Sequence, residues 1–175
     1  MLKYLKISSI LTLIAGVCAL LIAGCNALTQ PIIEQNALEK KAELCREIFA
    51  EFDSENSTIL KEGFSSSYIK EKIVANDSDS NSLGYIYTVG GSNAYGAIEL
   101  LVGISSDGTL VSVEFITNGQ SFSSETEAHV NGSYVSGLDS TEVNNIDVNC
   151  GATYAAKLVK ELVSACFSDS KGGSW

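Results

Sequence analysis

The sequence predicts an α+β fold: one N-terminal transmembrane helix, then a small domain with an antiparallel sheet and packed helices. Three observations predict it. A run from Ile7 to Ile33 carries no charge and is dense in Leu, Ile, Val and Ala as far as Ala27. Short β-branched and aromatic runs between Gly84 and Ile116 are separated by Gly, Asn and Asp turn signals, as antiparallel strands are. After them, Ala155, Leu158, Val159, Leu162, Val163 and Cys166 recur at the spacing of one helix face.

Composition bounds the function. With 175 residues, 45% apolar and 18% charged, the chain holds one ordinary domain and an appendage. Its net charge is −10, and since Lys3 and Lys6 are the only basic residues before Lys40, the chain from Glu34 onward sets nine basic residues against twenty-one acidic ones, a balance of −12. Such a surface repels phosphate backbones and excludes nucleic acid as a partner. Cysteines stand at 18, 25, 45, 150 and 166 without a Cys-x-x-Cys pair, and His129 is the single histidine. That spacing excludes zinc sites, c-type haem attachment and cysteine-ligated iron–sulfur clusters. A Cys150-based hydrolase would need a partnering base, and His129, read as a loop residue on the surface, is a poor one.

Residues 1–6 are read as a cytoplasmic N-terminus and 7–28 as the transmembrane helix, because about 1.5 Å per residue carries that run across a hydrocarbon core of about 30 Å. Lys3 and Lys6 precede it and acidic residues follow, so the positive-inside bias places everything beyond outside the cytoplasm of a bacterial cell. The apolar run is longer than that of a cleavable signal, which favours a retained single-pass anchor. Leu21-Ile22-Ala23-Gly24-Cys25 resembles a bacterial lipobox, so a lipoprotein anchored at Cys25 is the alternative; both readings export the domain.

Residues 29–56 are a membrane-exit and linker helix, with Leu38, Ala42, Cys45, Ile48, Phe49 and Phe52 at helical spacing. Residues 57–168 form the extracytoplasmic domain, and 169–175 a flexible tail. Asp53–Ser57 and Asn76–Ser82 are polar connections. Gly84–Val89 is a strand, Gly90-Gly91-Ser92-Asn93 a turn, Tyr95–Ile104 a second strand, Asp107-Gly108 a hairpin and Thr109–Ile116 a third strand. Gln120–Asn149 is weakly patterned and reads as a binding loop. Ala152 to about Phe167 is an amphipathic helix packed on the sheet.

The start of that last helix is the most informative stretch: Asp147-Val148-Asn149-Cys150-Gly151-Ala152-Thr153. Unpaired N–H groups and the helix dipole make such a start a natural phosphate site. Yet there is no lysine or arginine between Lys72 and Lys157, so a phosphorylated ligand must be retained by backbone donors, hydroxyls or a covalent bond. A phosphoester on Thr153 meets that requirement. Alone, Gly-Ala-Thr before a helix is a weak signal that also fits a tight helix entry.

With the membrane exit Asn26-Ala27-Leu28-Thr29-Gln30-Pro31-Ile32-Ile33 and the strands containing Val102-Gly103-Ile104 and Asp107-Gly108, this motif resembles the FMN-binding domain family. It is similar to the G subunit of Rnf-type ion-translocating ferredoxin:NAD oxidoreductases and to the related C subunit of sodium-translocating NADH:quinone reductases. Asp147-x-x-Cys150-Gly151-Ala152-Thr153 resembles the family's flavinylation motif, Asp-x-x-Ser/Thr-Gly-Ala-Thr. The resemblance implies covalent FMN on Thr153, presentation of that threonine by Gly151 and Ala152, and recognition of Asp147 by a flavin transferase. The chain departs from the pattern at Cys150, where Ser or Thr is usual, and at Ala155. The Glu-Thr-Pro-Gly-Leu-Gly loop of typical G subunits is replaced by Asn118–Glu127, in which Glu125-Thr126 remains.

By that resemblance the protein is an electron-transfer flavoprotein subunit of a membrane-bound, ion-translocating oxidoreductase, with other membrane subunits and a flavin transferase as partners. No Gly-x-Gly-x-x-Gly nicotinamide fingerprint is present, which suits a relay rather than a complete enzyme. The alternatives are a lipid-anchored FMN flavoprotein serving external acceptors and a non-redox binding module. Cys150 and Cys166 cannot pair if the helix forms, because the residues from Thr153 to Cys166 span about 20 Å. A bridge from either of them to Cys45 stays open. The lack of nearby cations predicts a comparatively low flavin potential unless Lys157 or a helix terminus approaches.

Overall fold

The computed structural model describes residues 2–172, with side chains given for all of these but 2–7, 33, 34, 37 and 38. Lys3 and Lys6, on which the topology reading rests, have side chains outside that set, and residues 173–175 of the expected tail lie outside the described residues. The chain divides into two units, residues 1–41 and 42–175.

The first unit is helical. It belongs to α1, Leu2–Ile48, in which Ser8–Ile32 is long and apolar enough to cross a membrane, none of it buried in protein. No break separates the apolar segment from the expected linker at 28, and Pro31 lies inside the helix. The linker helix ends at Ile48 rather than at 56; Phe49 and Phe52 follow in a turn closed by Phe52 N–H donating to the Phe49 carbonyl.

The second unit is a five-stranded antiparallel meander in the order β1 (Thr58–Leu60), β2 (Ile69–Asn76), β3 (Ser82–Asn93), β4 (Gly96–Ser105), β5 (Leu110–Asn118). One face is covered by α4, Thr153–Gly172, and by α2, Ser123–Ser133, around Tyr85, Tyr87, Val89, Leu100, Leu162 and Val163. The other face is covered by the last turns of α1, where Cys45 and Ile48 pack on Ile73, Ala75, Ile86 and Leu101. Covering both faces explains why β3 reads as an unbroken buried run, Gly84 to Val89, instead of alternating. Gly103 permits the second covering: a Cβ there would lie 2.2 Å from Ile48 Cγ2.

Several expectations are corrected. Gly90–Asn93 is not a turn but the end of β3, paired through Asn93↔Gly96; the turn is Ala94-Tyr95. The segment 120–149 is not one loop. It holds α2 and α3, Ser140–Asn145, the latter fixed by a capping box in which Asp139 accepts from the Thr141 and Glu142 N–H groups. The expected tail is helical through Gly172, and Asp169 is buried, its Oδ2 3.2 Å from Lys72 Nζ with Tyr87 OH and the Ser65 N–H also donating to the carboxylate. Cys45 packs on one face of the sheet and Cys150 and Cys166 on the other, so neither bridge to Cys45 is formed.

Candidate functional site

The motif from Asp147 to Thr153 folds into a turn wired by its own groups. The Asp147 carboxylate accepts the Asn149 N–H at 2.9 Å, the Cys150 N–H donates to the Val148 carbonyl, and the Thr153 hydroxyl donates back to the Cys150 carbonyl at 2.7 Å. Thr153 is the first residue of α4, and the helix ladder begins with Ala156 N–H on the Ala152 carbonyl. Its hydroxyl proton is therefore held by the Cys150 carbonyl, three residues back in the turn. Gly151 is exposed, Ala152 and Ala155 are buried under the turn, and Thr153 is half-buried. Alanine at 155 is the small residue that lets the helix start sit on the core.

The open side is a cleft of about 240 Å³ lined by Gly151, Ala152, Thr153, Tyr154 and Ala155 from the turn and helix, Tyr95 from the β3–β4 turn, and Gln120 and Phe122 from the segment after β5. Tyr95 and Tyr154 face each other with ring centroids 5.3 Å apart, and Asn93 Nδ2 donates to the Tyr154 carbonyl. The β3–β4 turn is locked by Gly96, whose φ of +141° places its carbonyl to accept 2.6 Å from the buried Gln120 Nε2. A Cβ at Gly96 would lie 2.0 Å from the Gly119 carbonyl oxygen, so this approach requires glycine.

The candidates Asp147, Cys150, Gly151, Ala152 and Thr153 thus share one turn, but only the last three line the cleft. Cys150 instead points to the core beside Tyr134, whose phenol is pushed far up by burial and then by Cys150. The Tyr134 hydroxyl and His129 Nε2 are both buried without a hydrogen-bond partner, and their rings meet edge to face at 6.4 Å. His129 lies in α2, half-buried, rather than in a surface loop. Glu125 and Thr126 also belong to α2: Glu125 Cγ is 3.8 Å from where a Gly151 Cβ would stand, and Thr126 is fully buried.

The sequence reading missed Tyr95, Gln120, Phe122 and Tyr154. The signal for Tyr154 was its place beside Thr153; the other three come from distant loops and converge only through the meander. Lys160 Nζ is committed to the Ile146 carbonyl at 2.9 Å. The cleft brings a hydroxyl at a helix start together with aromatic faces suited to a flat conjugated ring, with neutral lining side chains, and so fits a flavin nucleotide.

Residues 1–48 match the RnfG N-terminal region, and residues 94–168 match the FMN-binding domain. The second match contains every cleft residue. No curated protein matches the chain.

Proposed function

The chain is an RnfG-like, FMN-binding flavoprotein of electron transport, and on that premise we propose that FMN is bound covalently through Thr153 and that the protein is a one-helix electron-transfer subunit of an ion-translocating membrane complex. One observation carries the reading: Thr153, whose hydroxyl is tied to the Cys150 carbonyl, lines one cleft together with Tyr95, Phe122 and Tyr154. A flavin transferase would supply the activated FMN phosphoryl group, and Thr153 Oγ would take it in exchange for the donor's leaving group, losing its proton. FMN supplies the redox chemistry when bound. This chain's residues do the rest. Thr153 Oγ fixes the phosphate, Gly151 and Ala152 present that oxygen, Asp147 shapes the turn that the transferase recognises, and the aromatic side chains receive the ring.

The remaining parts of the reading follow from the first unit. The apolar segment of α1 anchors the protein, Lys3 and Lys6 hold its N-terminus inside, and the flavin domain lies on the extracytoplasmic side. Other membrane subunits supply the entry and exit for electrons and the ion path, since one helix forms no channel. The test is attachment. Coexpressed with a flavin transferase, the wild type should give a fluorescent band in a denaturing gel, Thr153→Ala should give none, and Thr126→Ala and Thr141→Ala should keep it. A fluorescent Thr153→Ala band would place the acceptor elsewhere.

A further inference from the structure

Resting on that flavin assignment, we infer that the face around Thr153 is a docking surface for a redox protein whose own contact face is basic. Three independent observations lead there. Tyr95, Phe122 and Tyr154 are 45%, 52% and 63% exposed, and all three border one cleft. Single exposed apolar side chains are ordinary, whereas a cluster of aromatic ones marks a contact surface. The cleft volume of about 240 Å³ is also below the roughly 300–1,000 Å³ of pockets that engulf a ligand. A ring seated against these side chains therefore keeps an edge at the surface, where a partner reaches it without any opening motion.

Charge selects the partner. From residue 73 to 156 every charged side chain is a carboxylate. Glu125 lies beside Gly151 at the cleft, Glu127 is held on the same helix by the Asn118 side chain, and Asp147 is exposed at the start of the acceptor turn. The opposing charge is Lys157, exposed one turn beyond Thr153, so the three carboxylates of α2 and the turn are set against one ammonium. Lys70 is paired with Glu99, and Lys160 is bound to the Ile146 carbonyl. A basic face complements this rim and is steered to it, while an acidic one meets unpaired carboxylates.

The test uses the flavin-loaded full chain in detergent, reduced anaerobically and mixed with ferric cytochrome c, a basic protein, or with ferricyanide, a small anion. Two equivalents of either acceptor take the two electrons of the reduced flavin, one each, and its protons pass to solvent. Rates are measured per bound flavin between low and high salt. The Glu125→Gln/Glu127→Gln pair should slow cytochrome c reduction at low salt about threefold to tenfold and speed ferricyanide reduction. The charge-matched control pair, Glu55→Gln/Asp79→Asn, should change neither rate; Asp79 lies beyond the far end of β3, about 36 Å of strand away from Asn93. Equal effects of both pairs would reduce the result to bulk charge and overturn the docking face, as would no effect of either. Loss of flavin from the wild type, read from absorbance before mixing, would instead reject the flavin assignment and is distinct from a loaded but charge-insensitive protein.

Discussion

Replacing Asp169 with alanine should be among the most damaging single changes in the domain, although the residue lies at the far C-terminal end of α4. The Lys72 and Asp169 side chains are 9% and 10% exposed, and Nζ stands 3.2 Å from Oδ2. Lys72 also sits 4.1 Å from the Tyr85 ring centroid. Asp169→Ala strands that ammonium in the protein and leaves the Ser65 N–H and the Tyr87 hydroxyl without their acceptor. Removing one partner of a buried pair costs about 3–5 kcal/mol, which for a domain of this size lowers Tm by roughly 10–15 °C. Removing both charges, as in Lys72→Met/Asp169→Leu, should restore the part of that loss due to the stranded ammonium, while the Ser65 N–H and the Tyr87 hydroxyl stay without their acceptor. Thermal unfolding of the detergent-solubilised chain by near-ultraviolet circular dichroism measures all three variants. An Asp169→Ala protein within about 1 kcal/mol of wild type, or a double variant showing no coupling, would refute the reasoning. The pH dependence has a definite sign. Burial works to raise the Asp169 carboxyl, but the Ser65 N–H and Lys72 outweigh it and hold the group below 3.8. Its contribution is therefore present above the unfolded value of about 3.9 and is lost as pH falls through the folded one. The gap between wild type and Asp169→Ala should stay constant from pH 7 to about 5 and close at lower pH.

Cys150→Ser should raise both flavin occupancy and stability, the latter by about 1 kcal/mol, because a hydroxyl beside the stranded Tyr134 hydroxyl is a better hydrogen-bond partner than a thiol; calorimetry and the flavin-to-protein absorbance ratio measure this. Gly96→Ala should cost more than about 2 kcal/mol and disorder the cleft, since its Cβ meets the Gly119 carbonyl and its φ is left-handed, so melting temperature and flavin retention should fall together. Protease added to intact spheroplasts should remove the domain beyond α1, and complete protection would contradict the proposed topology.

What could be read in the sequence was what is local. The face repeated from Ala155 to Cys166 gave α4, Asp107-Gly108 gave the β4–β5 hairpin, and the turn from Asp147 to Thr153 lies within seven residues. Long-range pairing hid the rest. Strand β2 carries Lys70, Glu71 and Lys72, and the inward position of Lys72 makes sense only with Asp169, 97 residues away. Gly90 and Gly91 resemble turn residues, but their missing side chains make room for the Lys70 stem and for Leu158. Helix α2 has no continuous apolar stripe; it is held by Thr126 and Val130, one turn apart. The aromatic cleft has no linear signature because its walls come from three loops.

The sequential strand order also sets a clock. Each strand pairs with its chain neighbour, so the meander can zip hairpin by hairpin with little loop-closure cost, starting before the chain's last third exists. The acceptor turn belongs to that last third, and Thr153 meets Tyr95 and Phe122 only when α4 settles on strands already paired. Under the proposed attachment, a modifying enzyme that reads the assembled cleft would find it only on a finished domain, and attachment would be a checkpoint on folding.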